Sequence, residues 1–204
     1  MSHYAASTKS SFWQKINQQS VPADYQAGLT LNRLERDLQP YYCERPGPGE
    51  LIVRPEDQLA VCVNERVKKL FMAFIVYTRF SVSGVINQPL NADIQVKTAG
   101  SLRKKRVRFF SKQEDGLKWI EQLEQYPVIR QTLEELDFRS CSLQIRKGKW
   151  RCEIEHFAAS EIVSRLPATR RYLRLTSEQR HRLLSTLHLI HQLMLQGIGK
   201  KPYT

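Results

Sequence analysis

Residues 141–154 have the sequence CSLQIRKGKWRCEI, and this stretch decides the fold class because two alternating segments flank a glycine turn. Six apolar residues take every second position around the turn: Cys141, Leu143, Ile145, Trp150, Cys152 and Ile154. If Lys147 and Gly148 form a two-residue turn, all six lie on one face of an antiparallel pair, because side chains alternate along a strand. The other face then carries the polar residues of the hairpin: Gln144, Arg146, Lys149 and Arg151.

Further strand-like segments lie on both sides of this hairpin. They are rich in β-branched and aromatic residues and cover residues 51–53, 59–63, 70–82, 94–97 and 106–110. The run 70–77 is wholly apolar, which predicts a buried strand. A second hairpin is predicted from residues 162–166 through a turn at Pro167 and Ala168 to residues 171–175. The segment 45–49, RPGPG, is predicted to be a loop, because proline lacks a backbone donor.

Helical patterns occur in three places. Leucines at helical spacing predict a short helix over residues 29–38 that ends before Pro40. Ser111 with Glu114 forms a capping-box pattern that starts a second helix, which Pro127 ends or kinks before it resumes over residues 128–136. Thr176 with Gln179 gives another capping box and starts a final amphipathic helix that Gly197 closes.

These elements predict an α+β protein. We expect an antiparallel β-sheet built from hairpins and packed on one side by two amphipathic helices, residues 111–136 and 177–196. Residues 1–20 are expected to form a flexible N-terminal arm, residues 21–196 a single α+β domain, and residues 197–204 a C-terminal tail. An offset of 65 residues aligns two strand-to-helix junctions. Two pseudo-repeated halves, 21–126 and 127–196, are one interpretation; two unrelated junctions of similar pattern are the other.

The positive charge of the chain is concentrated in its second half. Residues 1–100 contain 11 Lys or Arg and 9 Asp or Glu, whereas residues 101–204 contain 21 and 11. This asymmetry indicates an anionic partner, such as nucleic acid. The candidate nucleic-acid or anion-binding residues come from three basic segments: Arg103, Lys104, Lys105, Arg106, Arg108, Arg146, Arg151, Arg170, Arg171, Tyr172 and Arg174.

Folding of the chain is expected to bring these segments together on one face of the sheet. Cations on adjacent strands would then form a continuous field that attracts a polyanion by releasing its condensed counterions. Tyr172 is the candidate for stacking on unpaired bases, because alternation puts it on the face of Arg170 and Arg174. Trp150 falls on the apolar face and is predicted to belong to the core. The competing interpretation is that these cations are solvated and protect exposed strands from edge-to-edge association.

The sequence contains no catalytic, metal-binding or nucleotide-binding motif, and no resemblance to a known family is specific enough to name. His188 and His191 are spaced for one helix face, but no local third ligand accompanies them, so no metal site or cofactor is predicted. Glu153 and Glu155 share a strand face and are expected to neutralise Arg151 and its neighbours. Cys141 and Cys152 lie on the apolar face, where a thiol is inert.

The sequence thus predicts a cytosolic binding protein with a basic sheet face and no catalytic residues. Residues 1–20 lack the apolar stretch of a secretory signal, and no apolar run reaches the length of a membrane span. The oligomeric state is left open. The alternative function is a small-ligand-binding protein, or an enzyme of unrecognised type, with a pocket between the sheet and the helices.

Overall fold

The computed structural model describes residues 22–86, 90–100 and 105–197, and within these ranges the chain forms four α-helices and ten β-strands. The predicted N-terminal arm and all of the predicted tail except Gly197 lie outside the described residues. The helices are α1 (Leu29–Asp37), α2 (Glu114–Glu124), α3 (Pro127–Glu135) and α4 (Ser177–Gln196). The strands are β1 (Tyr42–Gly47), β2 (Glu50–Glu56), β3 (Leu59–Leu70), β4 (Ala73–Val85), β5 (Ala92–Ala99), β6 (Arg106–Phe110), β7 (Phe138–Arg146), β8 (Lys149–His156), β9 (Ser160–Arg165) and β10 (Ala168–Leu173).

The β7–β8 hairpin has the predicted register. Ile145 pairs with Trp150, and Leu143 pairs with Cys152, so the turn consists of two residues. Lys147 and Gly148 both have positive φ, 52° and 71°, as a two-residue hairpin turn of the favoured twist requires. The six alternating apolar side chains are all buried.

All ten strands belong to one antiparallel sheet. Its main order is β1-β2-β3-β4-β8-β7-β5-β6. The long strand β4 has two partners on one edge, because its second half pairs with β8 and its first half pairs with β9. Strands β7 and β8 of the second proposed half lie between β4 and β5 of the first half. The two proposed halves of the chain therefore share one continuous sheet.

The helices and the sheet enclose one main hydrophobic core, and the chain is an α+β protein as predicted. The core joins Leu34 of α1, Trp119 of α2, Leu133 of α3 and Leu187 of α4 to alternate side chains of the sheet. Thr176 and Gln179 form the predicted capping box at the start of α4. None of the helices in the described ranges is long and apolar enough to cross a membrane.

Three predicted boundaries in the strand region are wrong. The apolar run 70–77 is not one strand, since Phe71 and Met72 form the exposed turn between β3 and β4. Segment 45–49 is only partly a loop, because β1 continues to Gly47 and pairs with β2. The β9–β10 turn consists of Leu166 and Pro167, one residue earlier than predicted.

The helix predicted over residues 111–136 is two helices. Pro127 occupies the first turn of α3, where its missing N–H costs nothing, so a new helix begins there. The Ser111 capping box does not form: α2 begins at Glu114, and the Ser111 hydroxyl instead accepts the Gln113 N–H at 3.2 Å. Pro127 therefore ends one helix, which is one of the two outcomes predicted for it, and the described ranges contain four helices in all.

Candidate anion-binding face of the sheet

The face of the sheet turned away from the core carries a large excess of cations. Along β3 to β8, side chains point alternately to the core and to this outer face, and the register aligns the outer side chains of neighbouring strands in rows. Ser83, Arg151 and Gln144 form one such row. We call this surface the open face. Its cations on these strands are Arg66, Lys68, Arg79, Lys97, Arg106, Arg108, Arg139, Arg146, Lys149 and Arg151. Its acids on the same strands are Asp93, Glu153 and Glu155.

A depression of about 450 Å³ lies on the open face where β4, β8 and β7 end. We call it the cationic depression. Its lining residues are Ser83, Gly84, Val85, Gln144, Arg146, Lys149, Trp150 and Arg151. No carboxylate is among them. Arg146 and Lys149 face each other directly across the hairpin, and within the described ranges neither has an ion-pair partner. At Arg146 and Lys149 the depression therefore presents positive charge that no carboxylate of the described residues compensates.

Beside the depression, a buried carboxylate organises three arginines. Glu155 accepts hydrogen bonds from Arg66 at 2.9 Å, Arg79 at 3.0 Å and Arg139 at 2.7 Å. Burial by itself would raise the pKa of Glu155, but the hydrogen bonds and charges of Arg66 and Arg79 lower it below the ordinary value. The carboxylate therefore stays ionised and fixes three guanidinium groups, which leaves an excess of positive charge on the open face.

Glu153 has the neutralising role that its position predicts. It pairs with Arg151 at 2.8 Å and with Arg79 at 3.3 Å. Arg151 also donates to the Ser81 hydroxyl at 3.3 Å, so its guanidinium is held at the edge of the cationic depression.

A second group of cations lies at the β5–β6 edge of the open face. Arg108 is directly opposite Lys97, and the Lys97 ammonium lies 4.7 Å from the centre of the Phe110 ring. Phe110 is 44% exposed, whereas Phe109 packs partly against the core. Phe110 is thus the aromatic residue of this strand that a ligand on the open face can reach.

The third basic segment divides between the two faces of the sheet. Arg171 lies on the open face, opposite Ile162. Arg170 points the other way and pairs with buried Glu161 at 3.1 Å. Tyr172 and Arg174 also turn to the helical side.

These side chains bind α1. The Tyr172 hydroxyl donates to Asp37 at 2.9 Å, and Arg174 donates to the same carboxylate at 3.0 Å. Burial, reinforced by the Asp37 carboxylate, raises the pKa of Tyr172. Arg170, Tyr172 and Arg174 do share one face, as predicted. That face attaches α1 to the sheet, so Tyr172 is not available for stacking on the open face.

The three predicted segments therefore do not form one platform. Arg106 lies near the end of β5, beside Ala99, and Arg146 lies near its beginning, beyond Ala92. At ~3.3 Å per residue along a strand, this separates the two arginines by roughly 25 Å. Lys105 donates to the Leu136 carbonyl at the end of α3, and Arg103 and Lys104 lie outside the described residues. The open face keeps Arg106, Arg108, Arg146, Arg151 and Arg171 of the predicted set.

Several residues of the open face were not among the predicted site residues: Arg66, Lys68, Arg79, Lys97, Phe110, Arg139 and Lys149. The sequence did indicate the position of Lys97. It follows Val96 in β5 as Arg108 follows Val107 in β6, and in each strand the valine faces the core and the cation faces outward. The cluster around Glu155 had no local signal, because its members come from β3, β4, β7 and β8.

The histidines and cysteines noted in the sequence have structural contacts. His188 lies 3.3 Å from Glu56, and His191 packs against the Trp150 ring. The described part of the chain contains no group of three or more His, Cys, Asp or Glu residues that could hold a metal ion. Cys141 is buried, and its contact with Cys152, followed by burial, raises the pKa of the thiol, which keeps it unreactive.

A smaller cavity, of about 230 Å³, lies where α3 ends and α4 begins. His156 lines it and is fully buried. Its Nδ1 accepts the Ala158 N–H at 3.0 Å, whereas Nε2 has no hydrogen-bond partner among the described residues. Burial lowers the pKa of His156 to about 4, so the ring is neutral at pH 7 with its proton on Nε2.

The chain gives no match to a curated protein or to a solved structure. Residues 36–194 match a family model described as "Protein of unknown function (DUF3156)". The matched segment runs from the last turn of α1 to the last turn of α4, so it includes the whole sheet and the open face. The chain belongs to this family of proteins of unknown function.

Proposed function

We propose that this chain is a cytosolic binding protein that engages a polyanion, most favourably single-stranded nucleic acid, on the open face of its sheet. The observation that carries the proposal is the cationic depression, where Arg146 and Lys149 face each other without a carboxylate. An anionic group placed between them would relieve their mutual repulsion and release counterions of its own.

The surroundings of the depression fit a chain-like ligand better than a single small anion. Between the depression and the β5–β6 edge lie the polar side chains of Gln144, Ser142 and Gln95. One carboxylate, that of Asp93, lies opposite Gln144 and accepts a hydrogen bond from Gln95 at 2.8 Å. At the edge itself, Arg108 and Lys97 flank the exposed ring of Phe110. A single strand lying across this face would place one phosphate at the depression and another at the β5–β6 edge. Its bases would then lie over the polar side chains between them and over Phe110.

The shape of the surface favours a single strand over a duplex. Sequence reading in duplex DNA uses a helix or a narrow ribbon inserted into a groove, and a multi-stranded sheet face offers neither. Unpaired bases can lie on such a face, stack on an exposed aromatic ring and receive hydrogen bonds from amide and hydroxyl groups.

Fluorescence anisotropy with labelled single-stranded and double-stranded oligonucleotides tests the proposal. We expect tighter binding of the single strand, and a loss of affinity of roughly tenfold to a hundredfold between about 50 and 200 mM salt for a few phosphate contacts. A chain that binds neither oligonucleotide at the lower salt concentration would not have this function.

The second candidate function is binding of a small ligand in the cavity beside His156. It is favoured by His156, which lines this cavity and whose Nε2–H has no hydrogen-bond partner among the described residues. The cavity is smaller than the roughly 300–1,000 Å³ typical of organic-ligand sites. Native mass spectrometry of protein purified from its own host checks this alternative, because a co-purifying mass would support it and an unliganded mass would contradict it.

A further inference from the structure

Two hairpin turns lie side by side at the end of β4 opposite to the cationic depression. Phe71 and Met72 form the β3–β4 turn, and Leu166 and Pro167 form the β9–β10 turn. The Arg165 N–H donates to the Met72 carbonyl at 2.9 Å, which joins the two turns. We call these four residues, with the adjacent Leu70, the apolar tip.

The apolar tip exposes large hydrophobic side chains to an unusual degree. Phe71 is 95% exposed and Leu166 is 73% exposed, and Leu70 and Met72 are also exposed. Met72 has a φ of 60°, a conformation in which Gly, Asn and Asp are the usual residues. Short hairpin turns ordinarily consist of such polar residues or glycine, so these apolar residues stand where folding alone does not call for them.

Cations surround the base of the apolar tip on both faces of the sheet. We call them the basic collar: Lys68, Lys69, Arg165 and Arg171. Lys68 is opposite Ile75, and Lys69 is opposite Phe74, so the two lysines lie on different faces. Arg165 pairs with Asp24, but Lys68 and Arg171 have no ion-pair partner within the described ranges.

We propose that the apolar tip inserts into the surface of an anionic lipid bilayer while the basic collar binds the lipid phosphates. Lys68 and Lys69 lie two or three residues from Phe71 along the strand, a distance of roughly 7–10 Å. Interfacial protein segments bury to about the same depth, ~5–10 Å. The collar therefore reaches the headgroup layer when the tip enters the acyl boundary, where exposed aromatic and basic side chains are both stabilised.

The charges of the collar argue against a second copy of this chain as the occupant. Association of two tips would bring two basic collars together, and like charges at close range repel. An anionic bilayer instead supplies both an apolar phase for Phe71 and Leu166 and opposite charge for the lysines.

Co-sedimentation with lipid vesicles tests the proposal. The vesicles are phosphatidylcholine alone and phosphatidylcholine mixed with phosphatidylglycerol. The tip variant carries Phe71→Ser and Leu166→Ser, and the collar variant carries Lys68→Gln and Lys69→Gln. Phe157→Ser is the matched control, since Phe157 is an exposed aromatic residue outside the tip, 51% exposed.

We expect the wild-type chain and the control to sediment with the anionic vesicles and not with phosphatidylcholine alone. The tip variant should lose at least about tenfold in partitioning, because each removed side chain forfeits the transfer of a large apolar group. The collar variant should bind more weakly and lose its preference for the anionic lipid. Oligonucleotide binding by the tip variant should be unchanged, which separates this proposal from the proposed function.

Two results would overturn the proposal. The first is a wild-type chain that does not bind anionic vesicles, or a tip variant that binds them as the wild type does. The second is a wild-type chain that self-associates without vesicles and becomes monomeric in the tip variant, as analytical ultracentrifugation would show, because the tip would then be an interface between copies. Circular dichroism of the variants confirms that the fold is intact.

Discussion

Arg146 and Lys149 lie directly opposite each other at the last pair of the β7–β8 hairpin, and each lacks an ion-pair partner in the described part of the chain. Like charges in directly opposed positions destabilise an antiparallel pair, and a cross-strand pair of this kind is worth roughly 0.2–1 kcal/mol. The fold accepts this cost at the cationic depression, where we propose that an anion binds. Stability and binding should therefore respond in opposite directions to a change at this pair.

Replacement of Lys149 by Glu tests that opposition. Lys149→Glu turns a repulsive pair into an attractive one with Arg146, so the free energy of unfolding should rise by about 0.5–1 kcal/mol. The same change puts a carboxylate into the cationic depression and should remove oligonucleotide binding at moderate salt. Urea unfolding and fluorescence anisotropy on the same preparation measure both effects.

The control for this variant is Lys112→Glu, which makes the same change of net charge at an exposed position in the loop before α2. It should leave oligonucleotide affinity close to the wild-type value. If Lys149→Glu binds as tightly as Lys112→Glu, the depression is not the binding site.

The carboxylate of Glu155 should be central to the stability of the open face. Glu155→Gln leaves Arg66, Arg79 and Arg139 without their shared anion, and the free energy of unfolding at pH 7 should fall by about 2 kcal/mol or more. Glu153→Gln is the matched control, because Glu153 is less buried and should cost about 1 kcal/mol or less. Equal losses in the two variants would contradict the role given to Glu155.

The pH dependence of this contribution follows from its sign. The pKa of Glu155 lies below the ordinary value of 4.5, so its stabilising effect is complete above pH 4.5 and disappears as pH falls through the folded-state pKa. The difference in unfolding free energy between wild type and Glu155→Gln should therefore shrink in acid.

His156 should destabilise the fold at mildly acidic pH. Its pKa falls from an ordinary 6.5 to about 4 on burial, so the unfolded chain takes up a proton between these values while the folded chain does not. Stability should decrease as pH drops through this window, by up to about 1.4 kcal/mol per pH unit from this residue. Urea unfolding at several pH values should give a smaller slope for His156→Gln, and an identical slope in both proteins would exclude this source.

Gly84 leaves space for the indole of Trp150. A Cβ at position 84 would lie 2.8 Å from Trp150 Nε1, and Trp150 is only 1% exposed. Gly84→Ala should therefore lower the free energy of unfolding by about 1–3 kcal/mol, as overpacking of a core does. Gly49→Ala is the control, because a Cβ there meets nothing within 4 Å. Unfolding followed by tryptophan fluorescence checks both variants, and equal stability of the two would refute the steric explanation.

The parts of the fold that the sequence predicted well are those fixed by neighbours in the chain. The alternation over residues 141–154 and the turn at Gly148 determined a register, and the register determined which side chains reach the open face. The prediction of one buried strand over residues 70–77 was wrong for the opposite reason. A continuous apolar segment has no period, and Phe71 and Met72 carry none of the usual turn chemistry.

The candidate site was predictable only within single hairpins. Arg146 and Arg151 were placed correctly by alternation, but the order of the strands was needed to bring Arg66 and Arg139 to Glu155. Tyr172 was assigned to the right strand face, yet the side of the sheet that this face occupies depends on Asp37, which lies 135 residues away along the chain. Long-range pairing of this kind leaves no local pattern.

The salt dependence of oligonucleotide binding tests the central claim most directly. Each phosphate that the protein neutralises on a single strand contributes about 0.7 to the slope of log affinity against log salt concentration. The double variant Arg146→Gln, Arg151→Gln should therefore bind more weakly and with a slope smaller by roughly 1.4, whereas Lys112→Gln, Lys118→Gln should keep the wild-type slope. A double variant of the depression that retains both the affinity and the slope of the wild type would contradict binding at the open face.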